Sequence, residues 1–134
     1  MVWTIKSKII TMKKPIMKKQ TAIEKKAFNC ALQIYKLIDS FPGDKKSLGH
    51  EMASIAVKMS ASISTFINLN DVNAAYNFLN DAFIATYRIE VYLLVSRDLH
   101  WTESIDGPMK LLENLRMDLD KMLNRDPETD DGEV

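Results

Sequence analysis

The sequence predicts an all-α fold, an up-down-up-down antiparallel four-helix bundle. Three observations carry that prediction. Apolar residues recur in steps of three and four through four long stretches, the spacing of one helical face. Prolines and glycines gather between those stretches, at Pro42-Gly43 and Gly107-Pro108, and no alternating strand pattern occurs. The predicted connections are short, about five residues, then two, then six to ten, which makes successive helices antiparallel neighbours. With 134 residues the chain has the size of one domain. The expected division is a flexible basic N-terminal arm (1–20), the four-helix bundle (21–125) and a disordered acidic tail (126–134).

The first helix is expected over 21–41. Ile23, Ala27, Cys30, Ile34, Ile38 and Phe41 form its stripe, widened by Ala31 and Tyr35. Thr21 followed by Glu24 has the spacing of a capping box, and Pro42-Gly43 stops the helix. The second helix is expected over 47–69 with Ser47 as N-cap; Leu48, Met52, Ile55, Met59, Ile63 and Phe66 repeat the stripe. Its other face carries Ser54, Ser60, Ser62 and Ser64.

The third helix, over 71–97, is capped by Asn70 or Asp71 and has two apolar faces. Val72, Tyr76, Leu79, Phe83, Tyr87, Val91 and Leu94 form the expected core stripe. Phe78, Ala82, Ala85, Ile89 and Tyr92 form the second, expected to pack against another copy of the chain. The fourth helix starts at Ser104 or Pro108 and runs to Asn124, with Met109, Leu112, Leu115, Leu119 and Met122 inward.

The composition, 46% apolar and 27% charged, is that of a soluble globular chain. No apolar run reaches the roughly 20 residues that span a bilayer, and no secretion signal is legible, so no membrane partner is expected. A single cysteine, Cys30, leaves no internal disulfide and fits a reducing cytoplasm. Met12 and Met17 are alternative translation starts.

Zero net charge conceals a gradient. Residues 1–26 hold eight lysines and one acid, whereas residues 111–134 hold three basic and eight acidic residues. The stretch TMKKPIMKKQTAIEKK supplies Lys13, Lys14, Lys18, Lys19, Lys25 and Lys26. With Lys45 and Lys46 these are the candidate nucleic-acid-binding residues; lysine contacts to phosphate are sequence-independent and salt-sensitive. Repetition around an oligomer would multiply such contacts.

Catalytic patterns are missing from the sequence. His50 and His100 lack metal-ligand spacing and no Glu-x-x-His pair occurs. Ser96, Asp98 and His100 could meet on one helical turn, but nothing nearby supplies an oxyanion hole or pocket. Gly49 and Gly107 are isolated, so no phosphate loop exists. The expectation is a non-catalytic chain with no cofactor, no metal and no small-molecule substrate.

Two stretches carry a resemblance. ALQIYKLIDSFP followed by DKKSLGHEMASIAVKMSASI, and later YRIEVYLLVSRDLHW, resemble the bacterial four-helix-bundle superfamily of ribosomal-RNA intervening-sequence proteins and of the accessory variability determinants of diversity-generating retroelements. The resemblance covers residues 22–124. Intervening-sequence proteins carry an Asn-Ile-Ala-Glu-Gly type motif in the second helix, where this chain has Ser62-Ile63-Ser64-Thr65-Phe66. That departure places the chain nearer the accessory determinants. The resemblance implies a cyclic homo-oligomer, a pentamer, that binds a reverse transcriptase and template RNA. An intervening-sequence-type scaffold that binds protein without nucleic acid is the alternative.

Overall fold

A computed structural model describes residues 20–124. The described residues form four α-helices: α1 (Ala22–Leu37), α2 (Lys46–Asn68), α3 (Val72–Asp98) and α4 (Asp106–Asn124). Short 3-10 turns at Ile38–Ser40 and Gly43–Lys45 join α1 to α2. No strand occurs among the described residues. Each helix packs on its sequence neighbours and α4 closes back on α1, so the four enclose one core. The N-terminal arm through residue 19 and the acidic tail lie outside the described residues.

Local chemistry explains most helix ends. Thr21 caps α1: its hydroxyl accepts from the Glu24 amide at 3.3 Å, and the Glu24 carboxylate accepts from the Thr21 amide at 2.9 Å. This reciprocal pair meets two amides that the first turn leaves without helical partners. Asp71 caps α3 by accepting from the Ala74 amide at 3.2 Å. Ser47 does not cap α2. It lies inside the first turn, because the 3-10 turn at Gly43–Lys45 feeds directly into the helix and makes Lys45 the boundary residue. Gly49 lets α2 approach the Ile38–Ser40 turn and Phe41 closely. A Cβ there would sit 3.0 Å from Ile38 and 3.1 Å from Phe41, tighter than ordinary packing.

The core follows the predicted stripes of three helices. Ala27, Cys30, Ile34 and Ile38 are buried from the α1 stretch, Met52, Met59 and Ile63 from α2, and Leu112, Leu115 and Leu119 from α4. Tyr35 is the exception in α1, being 57% exposed. Burial pushes the Cys30 thiol from 9.0 up to about 12, because a thiolate has no partner in this apolar setting. The folded pKa therefore exceeds the unfolded one. Burying the neutral thiol stabilises the fold below pH 9, and the contribution is lost as pH rises through about 12. At pH 8 a thiol reagent should modify Cys30 about a thousandfold faster in guanidinium than in the native chain, as followed by released chromophore.

On α3 the faces are exchanged relative to expectation. Ala82, Ala85 and Ile89, expected at an oligomer interface, are buried within the chain, and Phe78 and Tyr92 are half-buried beside them. From the expected core stripe, Val72, Tyr76, Tyr87 and Val91 are exposed and only Leu79 is fully buried. Small side chains explain the reversal. Ala75, Ala82 and Ala85 let α3 approach its neighbours, while a row of tyrosines would hold them apart.

The C-terminus of α3 closes in a Schellman turn. Trp101 donates its amide to the Ser96 carbonyl at 2.8 Å and His100 donates to Arg97 at 3.0 Å. His100 takes φ 61°, the left-handed position that glycine occupies most readily. His100→Gly is expected to raise stability by about 0.5–1 kcal/mol in urea unfolding, because glycine has no Cβ strain there.

Candidate interaction surface

The eight candidate lysines do not form one patch. Lys13, Lys14, Lys18 and Lys19 lie outside the described residues. Lys25 is exposed at the start of α1. Lys26 beside it binds α4: its ammonium donates to Asn114 at 2.8 Å and to Asp118 at 2.5 Å. Lys45 and Lys46 sit about 20 Å away, beyond the far end of α1, as its rise per residue requires. Lys46 donates to the carbonyls of Ile38 at 3.1 Å and Asp39 at 3.3 Å, holding the end of the α1 region. The Lys45 ammonium lies 5.8 Å from the Trp101 ring centre, and Trp101 in turn packs on Phe41 at 5.6 Å. Three of the four described candidates therefore already have intramolecular partners. Asp44, 3.9 Å from the Lys45 ammonium, is a sequence neighbour, but the Asn114 and Asp118 partners of Lys26 and the Trp101 ring beside Lys45 are distant in sequence and not legible from proximity.

The expected interface stripe of Phe78, Ala82, Ala85, Ile89 and Tyr92 provides no continuous outer surface, since its three central members are in the core. The opposite side of α3 does. Ile84, Tyr87, Val91 and Val95 follow steps of three, four and four, and their exposures run from 39% to 60%. They form an apolar ridge along the outer C-terminal half of the helix.

Polar contacts between helices brace this ridge. Arg116 of α4 donates through Nε to the Thr86 hydroxyl at 2.9 Å and through Nη2 to the Thr86 carbonyl at 3.1 Å. The same nitrogen pairs with Glu90, and the guanidinium carbon lies 4.0 Å from the Tyr87 ring centre. On the other side of α3, Tyr92 donates to Glu51 of α2 at 3.0 Å. That hydrogen bond, with some burial, raises the Tyr92 pKa, because ionising the phenol removes the donor.

The trio of Ser96, Asp98 and His100 is committed elsewhere. Ser96 is buried and donates to the Tyr92 carbonyl at 2.7 Å, Asp98 accepts from Arg97 at 2.9 Å, and His100 forms the left-handed turn. Among the described residues no cluster of three metal-ligating side chains occurs. No helix among them is long and apolar enough to cross a membrane. No protein-family model, curated protein or solved structure matches the chain.

Proposed function

We propose that this protein is a non-catalytic accessory factor that assembles with copies of itself and presents lysines to RNA. The observation that carries the assembly is the ridge of Ile84, Tyr87, Val91 and Val95. It is apolar and exposed on a bundle whose core is already closed without it. In this reading the bundle is up-down-up-down and antiparallel. Three contacts support that topology. Lys26, early in α1, meets Asp118, late in α4. Tyr76, early in α3, reaches the Met122 and Leu123 carbonyls at the end of α4. Tyr92, late in α3, bonds Glu51, early in α2.

The resemblance to accessory variability determinants supplies the remainder: a cyclic homopentamer, a reverse transcriptase partner, template RNA and a cytoplasmic setting. The lysines of residues 1–19, with Lys25, are the nucleic-acid contacts in this reading. A scaffold that binds protein alone is the second reading. It is favoured by the engagement of Lys26 and Lys46 within the fold and by zero net charge.

Light scattering tests the assembly. The full chain should give a mass several times that of one copy, and Val91→Lys should reduce it to the monomer with helix content unchanged; a monomeric parent chain overturns the assembly. Filter binding of structured RNA by the assembled protein tests the other part. Binding should weaken by about tenfold or more between 50 and 200 mM salt if several lysines contact phosphates. No binding at either salt, together with a protein partner retained through nuclease treatment, establishes the scaffold.

A further inference from the structure

Lys58 of α2 and Arg88 of α3 line one cleft of about 280 Å³ between the two helices. Both side chains are exposed, and neither makes a hydrogen bond or ion pair among the described residues. In this they differ from Lys26, Lys46 and Arg116, which the fold engages. Ser62 and Asp81 line the same cleft, and Asp81 is not paired with either cation.

Helix spacing produces the cleft. Glu51, Ile55, Lys58 and Ser62 on α2 follow steps of four, three and four, and Asp81, Ala85, Arg88 and Tyr92 on α3 follow the same steps. Residues so spaced lie along one side of a helix. The hydrogen bond from Tyr92 to Glu51 ties the two series together at one end. Met59 and Ala85 are buried and floor the cleft. Ala85 has no atoms beyond Cβ, so the seam stays open between the long side chains of Lys58 and Arg88.

We infer that this cleft holds a phosphodiester group of an RNA backbone, with Arg88 and Lys58 donating to its oxygens and the Ser62 hydroxyl as a further donor. The inference rests on the RNA reading above and adds to it a contact on the folded bundle. A guanidinium offers coplanar N–H donors that match two oxygens of one phosphate, and an ammonium adds a mobile point charge. Charge selects the type of phosphate. Lys58 and Arg88 bring two positive charges to the lining and Asp81 brings one negative charge, a net of +1. A phosphodiester carries one negative charge and matches that balance. A terminal phosphomonoester carries about two at neutral pH, and Asp81 would repel the excess. The apolar floor of Met59 and Ala85 keeps water from one side, so attraction in the cleft exceeds that of the same cations on an open surface.

Filter binding of structured RNA by the full chain, over a range of salt, tests the cleft. Lys58→Gln and Arg88→Gln should each weaken binding about threefold to tenfold and reduce the slope of log K against log salt by about 0.7–0.9. Ser62→Asp should weaken binding at least as much, and Asp81→Asn should tighten it about twofold. Lys110→Gln removes an exposed cation of α4 outside the cleft and should change binding less than about twofold. Helix content should be unchanged in every variant. Arg88 lies four residues from Ile84 and three from Val91 of the ridge, so Lys58→Gln, on the other helix, separates loss of a phosphate contact from loss of assembly. A loss at Lys110 equal to those at Lys58 and Arg88 shows diffuse attraction and overturns the inference. RNA binding that keeps its full salt slope in both cleft variants overturns this inference alone. No RNA binding by the parent chain overturns the RNA reading and this inference with it. Phosphatidylcholine vesicles with about 30% phosphatidylglycerol form the last arm. If the parent binds them and Arg88→Gln does not, while RNA binding is kept, the cleft takes a lipid headgroup and the inference falls.

Discussion

Ile89→Ala should destabilise the protein by about 2–5 kcal/mol, whereas Val91→Ala should shift it by no more than about 0.5 kcal/mol in a monomeric state. The two positions are two residues apart in the sequence and on opposite sides of α3. Ile89 has no exposed surface and packs in the core cluster with Leu79, Leu93 and Leu112. Truncating it removes buried methyl groups and leaves a cavity that the surrounding helices can close only in part. Val91 is 60% exposed, so its truncation removes little buried area. Urea unfolding at low protein concentration, with ellipticity as readout, measures both. Equal and large losses at the two sites would place the stripe of Val91 in the core as well and refute the burial pattern on α3.

Arg116→Ala should cost about 2–3 kcal/mol, the second large effect. The Arg116 side chain is 17% exposed and that of Glu90 is 30% exposed, so their pairing is shielded from most solvent. Losing the guanidinium leaves the buried Thr86 hydroxyl without its donor and Glu90 without its cation. The stem and the planar group also cover Tyr87. Arg116→Lys should recover less than half of the loss, because an ammonium cannot reach Thr86 and Glu90 at once with fixed planar geometry. A double-mutant cycle with Glu90→Gln isolates the ionic part. A cost below about 0.5 kcal/mol for Arg116→Ala would show that this network is an exposed ion pair with little effect.

Much of the bundle was legible because local rules and tertiary packing agree. The Thr21–Glu24 capping box, the Asp71 cap and the inward stripes of α2 and α4 all follow from spacing alone. Ser47 misled because serine favours caps in general, while here the preceding 3-10 turn sets the start of α2. The partners of the lysines were not legible for a different reason. Charge density along the chain identifies cations but not their partners, and Asp118 lies 92 residues from Lys26.

Helix α3 shows most clearly what each level decides. Its sequence determines a long helix that is apolar on two sides. A further signal is present: Ala75, Leu79, Ala82, Thr86, Ile89, Leu93 and Ser96 alternate strictly in steps of four and three. That is the spacing of a straight seam between packed helices. The stripe from Val72 through Tyr87 to Leu94 contains three successive steps of four and drifts around the helix. Hydrophobicity ranks the aromatic stripe as the core, whereas close packing favours the small one. By itself the sequence determined four helices, their principal caps and three of the four inward faces. Only the tertiary structure decided which side of α3 is buried, because that depends on how closely α2 and α4 approach it.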